Sequence, residues 1–290
     1  MFQHILLPAT GEPADAVVYA TALAAGLGLP VHFGVLHVRQ DLVTAAIDMA
    51  GLGVYGGYGA GRMIDTIEQE TVAAEDAARA AFAAFRSESG LANAMPMAGQ
   101  GSATLTVETG VEEDALVAHG RTADLVVIGR AHGGEEVSLG RMQAVLAGIG
   151  RPLLVAAPHG PAALLDTVVI AWKDSAEAAR AVSAAMPFIA RAGRVLVVTI
   201  GEAGDPGEPG AASAARLVET LTRHNSAVSA WHVPAGDGEG AEALLAAASE
   251  ARATLLVMGA YGHGELREMV FGGFTRSVLG GAPMPVLMMH

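Results

Sequence analysis

The residues of this chain with the most chemical shape are glycines. Residues 259–264 read Gly-Ala-Tyr-Gly-His-Gly, and Gly272-Gly273-Phe274-Thr275 follows a short apolar and charged stretch. Gly259 closes a buried run, Gly262 and Gly264 tolerate positive φ and close backbone approach, and Gly272-Gly273 offers bare amides where a helix can begin. A strand, a glycine loop and a helix start, in that order, can cradle a phosphate because unpaired N–H groups converge on the anion. Glycine also builds ordinary turns, so spacing alone leaves a plain loop open beside the phosphate site. His263 is the histidine inside this segment; it can contact a phosphate, assist a slow hydrolysis, or simply face solvent.

Other chemistries find little support. The ten histidines show no His-x-x-x-His spacing and the chain has no cysteine, which leaves no metal set and no disulfide. Ser175 and Ser277 lack the Gly-x-Ser-x-Gly elbow of a hydrolase nucleophile, and no Gly-x-x-x-x-Gly-Lys-[Ser/Thr] loop is present. An enzyme is therefore not the favoured reading, since neither a base nor a metal carboxylate pair can be named.

The elements that must position the glycines occur twice. His4-Ile5-Leu6-Leu7-Pro8-Ala9-Thr10 returns as Thr167-Val168-Val169-Ile170-Ala171-Trp172-Lys173, and the run 123–129 returns as 253–259. A repeat of near-domain length means duplicated domains, here 1–158 and 159–290, joined at Pro158-His159-Gly160-Pro161. Each half alternates strands and helices and ends in a Gly-rich turn, a helix and a strand, which predicts an α/β fold with a five-stranded parallel sheet and helices on both faces. Val31–Val38, Val195–Ile200 and Leu255–Met258 lack polar alternation, as strands buried on both faces should. Alanine-rich helices are expected over Ala14–Leu27, Ala176–Ala190 and Glu242–Ala251, with Asp174-Ser175 and Glu12-Pro13 as helix starts. Two glycine-rich segments, 51–61 and 201–210, follow the second strand of each half, where a surface loop or a lid would stand.

Composition narrows the class further. With 290 residues and 52% hydrophobic side chains there is enough material for two cores. A formal charge of −13 opposes the phosphate neutralisation that nucleic-acid binding requires. The longest charge-free runs are broken by Gly, Pro or polar residues and fall short of the roughly 20 apolar residues of a membrane span. The N-terminus carries no basic region followed by an apolar secretory stretch, so a cytoplasmic location is expected.

Gly259, two residues, Gly262, nine residues, Gly272 resembles the G-2x-G-9x-G-[ST] phosphate motif of the universal stress protein family. The duplicated length and the turn Trp172-Lys173-Asp174-Ser175 resemble tandem members of that family. The resemblance implies two tandem HUP-type, Rossmann-like sandwiches, a role in stress responses, and in some members ATP, with Mg where it binds. It places Gly259, Gly262, His263, Gly264, Gly272 and Gly273 around the phosphates and Lys173 at the family's nucleoside-contacting Asp. Gly273 stands where nucleotide-binding members have Ser or Thr, so the amide survives and the hydroxyl does not; Thr275 is the compensating hydroxyl. A lysine can reach phosphate but cannot accept the nucleoside's hydrogen bonds.

The first half departs further. Gly129-Arg130-Ala131-His132 has histidine at the second glycine position, and Thr10 replaces the strand-one Asp, with a hydroxyl still able to bond a ribose or phosphate oxygen. Arg130 and Arg141 read as solvated charges. The short final strands 153–156 and 286–289 are apolar edges, which the family pairs across a dimer; in a tandem chain they predict an internal pseudo-dimer, with a homodimer of the whole chain as a further expectation. Two functions follow: a binding or regulatory protein responding to an adenine nucleotide in its second half, and a stress-protective scaffold with decayed sites. A slow ATPase is the third.

Overall fold

The computed structural model describes residues 2–41, 58–93, 99–130, 135–158, 163–201, 209–260 and 272–290. The first half runs β1 (His4–Pro8), α1 (Asp15–Ala25), β2 (His32–Gln40), α2 (Tyr58–Glu88), β3 (Ser102–Gly110), α3 (Glu112–Gly120), β4 (Leu125–Ile128), α4 (Glu135–Ile149) and β5 (Leu153–Val155). The second runs β6 (Thr167–Ala171), α5 (Ala176–Ile189), β7 (Arg194–Gly201), α6 (Pro209–Thr222), β8 (Val228–Pro234), α7 (Gly240–Glu250), β9 (Leu255–Gly259), α8 (Gly273–Gly281) and β10 (Val286–Met289). The predicted order of elements is thus present in both halves.

The two sheets are not separate. All ten strands form one sheet in the order β3-β2-β1-β4-β5-β10-β9-β6-β7-β8. Every pairing within a half is parallel, and the halves meet where β10 runs antiparallel to β5, with Leu287 opposite Leu154. The two terminal strands, which the sequence marked as apolar edges, therefore cover each other at the centre of the sheet. What remains at the margins is β3, mostly half-buried, and β8, mostly exposed.

Successive side chains of a strand point to opposite faces, and the core divides accordingly. Ile5 and Leu7 of β1, Val168 and Ile170 of β6 and Val257 of β9 pack beneath α1, α2, α5 and α6. Leu6, Val169, Leu256 and Met258 pack on the other face beneath α3, α4, α7 and α8. Each side chain named here is at most 3% exposed, which is why these strands read as unbroken apolar runs.

Helix ends follow local chemistry. Ser175 caps α5, its Oγ accepting from the Ala178 amide at 3.3 Å. Helix α1 is shorter than expected at both ends: it starts at Asp15, not Ala14, and stops at Ala25 because Leu27 and Gly28 both take positive φ. The glycine-rich segments stand partly in helices: residues 58–61 open α2, Pro209 and Gly210 open α6, and 51–57 with 202–208 lie outside the described residues. The joint at 159–161 also lies outside them.

Candidate functional site

In a doubly wound sheet ligands bind beyond the carboxyl ends of the strands where the strand order reverses. Order 3-2-1-4-5 reverses between β1 and β4, and its counterpart between β6 and β9. In the second half Ala171 pairs with Met258, so Trp172-Lys173 and Gly259-Ala260 leave neighbouring strands side by side at that crevice. Of the residues the glycine pattern singled out, Gly259, Gly272, Gly273, Thr275 and Lys173 are described; Gly262, His263 and Gly264 lie outside the described residues.

Gly259 is fixed by packing. A Cβ there would lie 2.6 Å from the Ala178 nitrogen and 2.7 Å from the Glu177 carbonyl carbon, so only glycine lets β9 end this close to the first turn of α5. Gly272 is the N-cap of α8 and supplies no side-chain hydrogen bond to its first turn. At Gly273 a Cβ would meet no atom of the described residues within 4 Å. Among the described residues the first-turn amides of α8 have no side-chain cap, and amides at a helix start can hold an anion. Thr275 sits one turn in and is buried, at 6% exposed. Lys173 is exposed, and among the described residues it makes no ion pair.

Residues that the sequence did not single out complete the surroundings. The Trp172 indole donates to Ser213 Oγ at 3.0 Å, tying the β6–α5 turn to α6. Glu177, beside Gly259, accepts from Arg180 at 3.0 Å, while its Oε2 is buried without a partner among the described residues. Its own backbone N–H and Ser175 hold its carboxyl below the usual range, as expected for an acid in the first turn of a helix. Glu177 stands two residues after the Ser175 cap, off the three-residue spacing that marks a capping box, so no local pattern announced it.

The first half fills the equivalent turn with its own side chain. Asp15 is 3% exposed, and its carboxylate accepts from the amides of Thr10 and Gly11, at 3.1 and 2.8 Å, and from Thr10 Oγ1 at 2.8 Å. Thr10 Oγ1 in turn accepts from the Glu12 amide at 3.2 Å. The threonine hydroxyl expected to meet a ribose or phosphate oxygen is therefore already committed. Gly11 has φ +81°, and a Cβ on it would lie 2.3 Å from the Ala74 carbonyl oxygen, so α2 presses directly on the turn.

Two arginines also differ from expectation. Arg141 is not a free solvated charge: it pairs with Glu112 at 3.0 Å, and burial nonetheless raises the Glu112 carboxyl. Arg130 is partly buried and donates to the Met284 carbonyl at 3.4 Å, across the junction of the halves; burial lowers it to about 10. His37 is buried, its Nδ1 donating to the Ala9 carbonyl at 2.7 Å, and its Nε2 has no partner among the described residues. Among the described residues no cluster of three His, Cys, Asp or Glu side chains could hold a metal, and no helix is long and apolar enough to cross a membrane.

Comparison with known proteins agrees with this geometry. No curated protein matches the chain. The sequence model of the universal stress protein family matches residues 165–290. Over 99% of this chain and 95% of theirs, a universal stress protein from Archaeoglobus fulgidus superposes with a TM-score of 0.69 at 19% identity. A functionally unknown protein from Pseudomonas aeruginosa gives 0.60 at 12%, covering 99% of this chain and 92% of its own. The cytoplasmic domain of a prokaryotic cation chloride cotransporter gives 0.51 at 9%, over 99% and 95%, so the double fold does not by itself name an activity. Residues 165–290 thus match the universal stress protein family by sequence, and along its whole length the chain has the fold of a universal stress protein.

Proposed function

We propose that the second half binds an adenine nucleotide and that the chain is a ligand-responsive regulatory protein of the stress response. The observation that carries this reading is the start of α8, where Gly272 caps without a side chain and, among the described residues, no atom stands within 4 Å of a Cβ on Gly273. Backbone amides there would hold the phosphates, and Thr275 and Lys173 stand on the elements flanking them. Mg would be carried on the phosphate oxygens and water, the usual mode for this ion. A bound nucleotide would order the residues around it and change which partner surface the second half presents; no group in the described residues is placed as a catalytic base.

The scaffold reading draws on the first half, whose turn Asp15 already closes, and on the missing hydroxyl at Gly273. One experiment separates the two. Undialysed protein is denatured and the released small molecules are identified by mass, and Mg-ATP is then titrated while tryptophan fluorescence is followed. Near one adenine nucleotide per chain supports the binding protein. No nucleotide and no response at millimolar Mg-ATP would overturn it in favour of the scaffold. Gly262→Val, inside the glycine motif, is expected to abolish binding with the fold retained.

A further inference from the structure

Away from the carboxyl ends of the strands, a cleft of about 860 Å³ runs along α5, and both halves line it. Val182, Met186 and Pro187 belong to its α5 side, Leu217 and Leu221 of α6 to one flank, and Leu27 and Leu29, just beyond α1, to the other. Small-molecule sites are typically clefts of about 300–1,000 Å³ with apolar walls and a few placed polar groups.

The polar groups here are specific. Pro187 has no N–H to give the carbonyl of Ser183, so an acceptor is released on the cleft side of the helix. Arg191 spans the two halves, donating from Nη1 to the Leu27 carbonyl at 3.2 Å. Leu27 holds φ +57°, and among the described residues only Arg252 shares a positive φ without being glycine. Among the described residues Arg191 pairs with no carboxylate, in a chain whose formal charge is −13. Asp124, the acid among the described lining residues, has Oδ2 engaged by the amides of Gln3 and His4, at 2.7 and 3.0 Å.

We propose that this cleft binds a small amphipathic carboxylate, its apolar chain lying over α5 and its carboxylate meeting the Arg191 guanidinium. A planar guanidinium with unassigned N–H groups at one end of an apolar cleft matches a carboxylate head and an alkyl tail better than a neutral oil or a polyanion. The site is independent of the nucleotide reading, because it lies on a helix face and not at the strand carboxyl ends.

The test is calorimetric titration of the full chain with decanoate and, separately, 1-decanol. Saturable binding of decanoate near one per chain is expected, with decanol weaker. Arg191→Met should weaken decanoate about ten-fold, bringing it toward decanol. Ser183→Trp, which fills the cleft from an exposed position, should abolish both, and unchanged thermal unfolding of the two variants would show that the fold is intact. The proposal is overturned by absence of saturable binding, or by affinity unchanged in either variant. It is also overturned by self-association that Ser183→Trp removes and decanoate leaves untouched, which would make a second copy the occupant.

Discussion

The same turn, from the end of a first strand into a first helix, is closed by a carboxylate in one half and, among the described residues, by none in the other. After β1 the amides of Thr10 and Gly11 converge on Asp15, a side chain supplied by the next helix. After β6 the position 163 residues beyond Asp15 is Ala178, and Ser175 caps the helix while Lys173 stays in solvent. A carboxylate that accepts three hydrogen bonds from its own chain does for that turn what a bound anion would do, and it leaves the turn no donors to offer. Duplication therefore did not give two equal sites. The first copy is a self-satisfied structural turn, and the second has Ala178 where that carboxylate stands.

The sharpest way to break the comparison is at the two strand-end glycines. Gly259→Val would drive a side chain into the backbone of α5, and a loss of about 3 kcal/mol or more is expected in urea unfolding. The counterpart Gly129→Ala meets only the tip of Val18 at 2.9 Å, which can yield, so about 1 kcal/mol is expected there. With alanine at both positions Gly259 should still cost more, and equal costs would refute the closer backbone packing of the β9 end.

Asp15→Ala removes the acceptor for three donors in a buried turn and should cost about 2 kcal/mol, against less for Asp15→Asn, which keeps an oxygen. If Asp15→Ala is neutral in thermal unfolding, the turn is not held by this carboxylate. Gly273→Ser adds a hydroxyl at an exposed position where no atom of the described residues stands within 4 Å of a Cβ, so stability should move by no more than about 0.5 kcal/mol. Its effect belongs to binding: tighter Mg-ATP in calorimetry is expected, and an unchanged affinity would separate the start of α8 from the phosphate.

The smallest effect concerns pH. His32 packs 5.4 Å from His4, ring to ring, and burial followed by that neighbour lowers its pKa. The unfolded chain then takes up a proton first, so the contribution is complete above about pH 6.5 and is lost as pH falls below it. The second half has Thr167 and Arg194 in the same register, so unfolding of wild type against His32→Gln between pH 7 and 5 should show an acid sensitivity carried by the first half. A parallel decline in both proteins would remove the histidine pair from consideration.

Much of this was legible before any coordinates. Unbroken β-branched runs separated by alanine-rich stretches dictated parallel strands buried on both faces, and the recurrence of the first strand showed that the unit was doubled. Gly259 was legible as the end of a strand, and its backbone lies so close to α5 that no side chain fits there. Local patterns were silent on Asp15, because an acid in a first turn is common and only its reach back to Thr10 and Gly11 makes it a plug. They misread Arg130 and Arg141 for the same reason: whether a guanidinium is solvated depends on what folds over it.

What the sequence determined by itself, then, is the set of elements, their faces and the glycines that let a strand end beneath a helix, all consequences of short-range sterics and of side-chain periodicity. Only tertiary structure decided that β5 and β10 join antiparallel into one ten-stranded sheet. That junction points the two sets of strand carboxyl ends in opposite directions, so the turn closed by a carboxylate and its counterpart lie on opposite edges of the molecule. Hydrogen bonding between strands far apart in the chain sets that arrangement, and no local pattern encodes it.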